Sequence, residues 1–137
     1  MGKDKKRRMD SETLAHRCVE ICEGRKAQNV LLFDVRGASV LADFYLICSA
    51  TSEPHIRAIR GRLDKDLSAE GIEPRVEGKS ASHWVVMDYG TVLIHIMDPE
   101  RRAFYGIEDL WDSDRVIYRS EEYVHEAVPL SPSGSAT

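Results

Sequence analysis

The sequence contains no long apolar run. Its longest are strand-length, far short of the roughly 20 residues needed to cross a bilayer, and no apolar signal-peptide core follows the basic start. These two absences lead us to expect a cytosolic (cytoplasmic) or organellar protein rather than a secreted one, with no membrane partner. Cysteine is scarce: Cys18, Cys22 and Cys48 are scattered and form no CxxC, which fits a reducing compartment. Cys18 and Cys22 are four residues apart and share a helix face, but no His or Cys pair lies nearby in sequence to complete a metal set. They read as core residues. There is no internal repeat, no glycine-rich turn and no GK[ST] to cradle a phosphate. Positive charge is also short. The net charge is −4, and residues 1–10 carry five basic and two acidic groups, which leaves −7 for the remainder. An acidic body argues against a broad phosphate-binding surface. The basic head, MGKDKKRRMD, reads as a solvated, disordered terminus, with RNA contact at most secondary.

What is present is enough for one domain with an ordinary core: 137 residues, 42% hydrophobic and 31% charged. Asp10 or Ser11 caps a first helix, with Leu14, Cys18, Ile21 and Cys22 at helical spacing and Gly24 as the stop. Residues 29–34 and Asp43–Ala50 are nearly continuous apolar runs, as central strands of a covered sheet tend to be. Ser52 and Pro54 open a second helix with Ile56, Ile59, Leu63 and Leu67 on one stripe, closed by Gly71. Ile72–Glu77 reads as a short strand that Pro74 confines to an edge. Asp98-Pro99 begins a helical turn or two through Phe104, with Arg101 and Arg102 exposed. Ile107, Leu110 and Trp111 are expected to pack back on the sheet. Residues 114–128 show no convincing period, and Pro129 to Thr137 is tail-like.

The chain is organised around HWVVMDYGTVLIHIM, residues 83–97. It reads as two strands, His83–Asp88 and Thr91–Met97, folded back through Tyr89 and Gly90. Alternation puts Trp84, Val86 and Asp88 on one face, with Val85 and Met87 on the other. In the second strand Val92, Ile94 and Ile96 oppose Leu93, His95 and Met97. Both faces are apolar, so either helices hide both or part of one face meets something outside the chain. The fold expected is α/β (α+β): a single mixed sheet of about five strands packed by helices.

No catalytic set is visible. Asp34 and Asp88 end their strands, where carboxylates usually cap turns. Asp43 opens a strand, but a nucleotidyl transferase needs two metal-binding carboxylates alternating there, and Asp43-Phe44-Tyr45 offers only the first. His95 reads as a core histidine, Cys48 as an inert buried thiol, and the hydroxyl-rich Ser49–Ser52 loop as ordinary helix capping. No enzyme activity, metal or cofactor is expected.

FDVRG (33–37), ADFYLICSATS (42–52), residues 83–97 and RRAFYGIEDLW (101–111) together resemble the ribosomal silencing factor family, also called Iojap. The resemblance covers residues 12–111. It divides the chain into a head (1–10), a domain (11–111) and an extension with a disordered tail (112–137). It implies a fold similar to nucleotidyltransferases without their catalytic carboxylates. It also implies a function: binding the large ribosomal subunit at its protein number fourteen, sterically blocking joining with the small subunit and so repressing translation. A homodimer off the ribosome is a further expectation for the family. The implied binding residues are Trp84 and Tyr89, with Asp88 and Gly90 beside them in the turn. Many members have an aliphatic residue where this chain has Tyr89. The expectation is that the rings of Trp84 and Tyr89 both point outward. Two other readings compete: a residual nucleotide-binding enzyme using Asp43 and the Ser49–Ser52 loop, and an RNA adaptor using Lys3–Arg8, Arg57, Arg60 and Arg62.

Overall fold

The structure is a computed structural model in which residues 9–125 are described. The first helix, α1 (Ser11–Gly24), starts where the carboxylate of Asp10 accepts the Thr13 amide at 2.8 Å. That bond satisfies one of the four amides a helix start leaves free. The second, α2 (Glu53–Ser68), is capped by the Ser52 hydroxyl on the His55 amide at 3.2 Å, with Pro54 in its first turn. Both helices bury an apolar stripe: Leu14, Cys18, Ile21 and Cys22 on α1, and Ile56, Ile59, Leu63 and Leu67 on α2.

The stripes cover one face of a sheet built from β1 (Gln28–Asp34), β2 (Phe44–Ser49), β3 (Arg75–Glu77), β4 (Trp84–Asp88), β5 (Val92–Met97) and β6 (Val116–Arg119). The strand order is β3-β4-β5-β2-β1-β6. Only β2 and β5 run parallel, with Phe44 opposite Val92 and Ser49 opposite Met97; every other pair is antiparallel. The parallel pair is central, and all six residues of β2 are buried, as expected of a strand covered on both sides.

The expected alternation holds along the hairpin. Val85, Met87, Val92, Ile94 and Ile96 join the core under α1 and α2. Leu31, Phe33, Tyr45, Ile47 and Met97 form a second core on the opposite face, with Trp84, Leu93, Trp111, Val116 and Tyr123 packed at its edges. Among the described residues no long helix lies over this second face. Its cover is α3 (Pro99–Tyr105), two 3-10 turns (Ile107–Leu110 and Ser113–Arg115) and the chain after β6.

The single mixed sheet packed by helices is the fold expected; among the described residues it has six strands, the sixth being β6, which lies within the stretch that shows no clear period and pairs with β1. Two expectations are corrected. Arg102, expected in solvent, is fully buried; its Nε donates to Glu108 at 2.6 Å and its Nη1 to the Ser49 hydroxyl at 3.0 Å. A helix of seven residues has to seat one side inward, and the polar partners inside make that side an arginine. Leu110, expected to pack back, is 67% exposed, whereas Ile107 is buried, because the tight turn points only part of its apolar set at the sheet. The basic head, residues 1–8, and the tail, 126–137, lie outside the described residues. Among the described residues no helix is long and apolar enough to cross a membrane.

Candidate functional site: a half-covered aromatic face

The placement of Trp84 begins with Gly78, at φ +88°. A Cβ there would stand 2.4 Å from the Trp84 carbonyl oxygen, so only glycine lets the β3–β4 connection pass this close. Trp84 then opens β4 half-buried. Its indole N–H donates to His95 Nδ1 at 3.1 Å. Indole nitrogen is a donor only, so this bond fixes the His95 tautomer with its proton on Nε2. Burial holds His95 down to about 4, and the ring is neutral at pH 7.

Around this pair the face carries a continuous run of six rings. Phe104 meets Tyr105 at 4.9 Å between centroids, Tyr105 meets Trp84 at 4.8 Å, and Trp84 meets His95 at 6.0 Å. His95 meets Tyr45 at 5.9 Å, and Tyr45 meets the edge of Trp111 at 5.4 Å. These are ordinary favourable aromatic separations. The Trp111 end is packed in the second core, while Phe104 and Tyr105 are exposed at the other end. Val86 and Leu93, both half-buried, extend the apolar area. Its margin is polar: on β3 the exposed Arg75 stands opposite Asp88 and the exposed Glu77 opposite Val86.

The turn residues divide. Asp88 Oδ1 accepts the Gly90 amide at 2.8 Å, and Gly90, at φ +87°, is exposed at the tip. Trp84 and Asp88 lie on the open face. The expectation that the Tyr89 ring points outward is corrected. Tyr89 is 9% exposed, belongs to the core beneath α1 and α2, and its buried hydroxyl has no hydrogen-bond partner. Positions 84 and 89 differ by an odd number, so an extended backbone sends their side chains to opposite faces.

Several of the polar residues considered for chemistry are occupied structurally. Asp34 pairs with Arg36 at 2.7 Å, and that guanidinium lowers its carboxyl. His55 accepts the Thr51 amide at 3.0 Å on Nδ1 and contacts the Arg25 carbonyl at 2.8 Å through Nε2. Ser49 holds Arg102. The three cysteines are buried and free. Among the described residues no group of three or more His, Cys, Asp or Glu side chains is placed to hold a metal. Sequence reasoning missed Tyr105, Tyr45 and Trp111 as members of the aromatic face. Tyr45 meets His95 through the β2–β5 pairing, and Tyr105 and Trp111 arrive with α3 and the turn after it; no local pattern announces either.

The comparisons with known proteins agree with this fold. The family model described as "Ribosomal silencing factor during starvation" matches residues 8–134. The ribosomal silencing factor of Halalkalibacterium halodurans is 36% identical over 104 residues, covering 75% of this chain and 89% of that protein. The mouse "Mitochondrial assembly of ribosomal large subunit protein 1" is 31% identical over 98 residues, 68% of this chain and 42% of that one. A crystal structure of a protein from Chromobacterium violaceum superposes with a TM-score of 0.72 at 25% identity, covering 75% of this chain and 87% of that chain. This chain belongs to the ribosomal silencing factor family.

Proposed function

We propose that the protein binds the large ribosomal subunit through the Trp84 face, docking on that subunit's protein number fourteen, and thereby keeps the small subunit from joining. The observation that carries this is the half-exposed Trp84 within an aromatic run bordered by Arg75, Glu77 and Asp88. An apolar, aromatic centre inside a polar margin is the build of a protein-docking patch. Its rings are held by neighbours in the free chain, so little side-chain freedom is left to lose on binding. Steric exclusion needs no reacting groups: a 15.5 kDa body on the joining face is enough. The name of the mouse relative, which refers to the large subunit, points the same way. This reading places the protein with cytoplasmic ribosomes and assigns Trp84, Asp88 and the Gly90 tip to the contact, with the Tyr89 ring facing away from it.

The test is co-sedimentation with isolated large subunits, followed by gradient profiles at low magnesium. Trp84→Ala is expected to lose roughly 2–4 kcal/mol of binding, the cost of a central aromatic anchor, while its circular dichroism stays that of the parent. Unchanged sedimentation of the variant refutes the assignment.

A further inference from the structure

Resting on that docking reading, we propose that Tyr123 is a positioning residue for the Trp84 face, acting through Glu108, Arg102 and α3. Tyr123 follows β6 and is half-buried against the second core. Its hydroxyl donates to Glu108 Oε2, and its ring lies 5.9 Å from the Arg102 guanidinium. The other oxygen of Glu108 accepts Arg102 Nε at 2.6 Å, and Arg102 Nη1 reaches the Ser49 hydroxyl on β2 at 3.0 Å. Glu108 is 4% exposed.

Three features make this a device for positioning. First, seven residues are too few for a helix to persist by itself, and Arg102 is the side chain by which α3 is buried. The orientation of α3 therefore depends on where the guanidinium is held. Second, α3 ends on Tyr105, whose ring packs 4.8 Å from that of Trp84. A shift of Arg102 is passed to the docking ring within one turn of helix. Third, Tyr123 can lose its hydroxyl without releasing the segment that carries it. Ser120 Oγ accepts the Val30 amide at 3.1 Å, and Asn29 Oδ1 accepts the Val124 amide at 2.9 Å. The bond to Glu108 is thus separable from the fold of β6. Without it Glu108 Oε2 loses its hydrogen-bond donor and is left with the His125 ring at 3.9 Å, beyond hydrogen-bond distance, so Glu108 has reason to turn from the geometry that fixes Arg102.

The experiment uses the full chain with Trp111→Phe, which leaves Trp84 as the single tryptophan, with and without Tyr123→Phe. Acrylamide quenching of Trp84 and co-sedimentation with large subunits are measured on both. The expected result is greater quenching in the Tyr123→Phe protein and affinity weaker by about fivefold, an ordinary size for coupling passed through a side-chain network. Unchanged quenching overturns the proposal. So does greater quenching with unchanged affinity, provided Trp84→Ala itself weakens binding. If Trp84→Ala binds normally, the docking reading has failed, and quenching alone still decides whether Tyr123 holds Trp84. Should Tyr123→Phe not fold, the role of Tyr123 is structural and the positioning proposal is overturned.

Discussion

Replacing Tyr89 by Phe should make this protein more stable. The Tyr89 hydroxyl is buried with no hydrogen-bond partner, so folding strips it of water and gives nothing back. A buried polar group left unpaired costs about 1–3 kcal/mol. Tyr89 keeps 9% of its surface exposed, which favours the low end, a gain of about 1 kcal/mol on removing the oxygen. For a domain of this size that is a rise in Tm of about 3–5 °C. Urea unfolding followed by circular dichroism should show a higher midpoint at unchanged slope, since the same surface is exposed in both proteins. The pH dependence should change as well. Burial raises the Tyr89 phenol above its ordinary 10. Below about 10 both states are neutral, and above it the unfolded chain ionises while the folded one holds its proton, so stability falls as pH rises. The Phe variant lacks this share of the alkaline loss. Large-subunit binding should not change, because the ring faces the helices. A fall in the urea midpoint would show that the hydroxyl has a partner and would refute the reasoning.

Two further outcomes follow from buried groups. His95, held to about 4 against an ordinary 6.5, contributes stability that is full above pH 6.5 and is lost as pH falls toward 4, because the unfolded chain takes up a proton the folded ring refuses. That difference is worth roughly 3 kcal/mol; urea midpoints at pH 7, 5.5 and 4.5 should fall in the parent and fall less in His95→Gln, and parallel curves would sink the idea. Burial pushes the Cys18 thiol up to about 12, and the Cys48 contact with burial pushes Cys22 well up; all three cysteines are also shut away from solvent, so a thiol reagent should label none of them in the native protein and all three in denaturant. One fast-reacting native thiol would contradict this.

Much of the fold is legible because the signals are local. Helix caps at Asp10 and Ser52, the apolar stripes and the hairpin alternation each depend on neighbours within one turn or one strand. Arg102 was not legible: the pair Arg101-Arg102 offers two identical residues, and only the Glu108 and Ser49 groups say which turns inward. β6 was missed because its burial alternates weakly between half-buried and exposed and its pairing with β1 shifts register. Tyr89 was misread for another reason. Read as a turn residue, it carries no face of its own, and the family likeness groups it with Trp84; carrying the period of two one residue past Asp88 puts it on the opposite side, under the helices.

The location of the open face follows from topology. The parallel β2–β5 pair requires a crossover connection, because parallel strands cannot be joined by a tight turn. That connection contains α2, which packs with α1 on one side of the sheet. With both long helices on that side, the described residues left to cover the other face are short pieces. They cover Ile47 and Met97 fully but leave Trp84 and Leu93 half-buried. The β4 end of the face is the part those pieces finish least, since β6 and the segment after it return to β1, on the far side of β2 and β5. Aromatic residues suit this border: a ring covers its neighbours on one side and still offers a rigid apolar surface on the other. The same geometry explains why the face depends on α3. Among the described elements, α3 is the one that reaches from the buried Arg102 to the rim at Tyr105, so whatever fixes Arg102 also sets the shape of this surface.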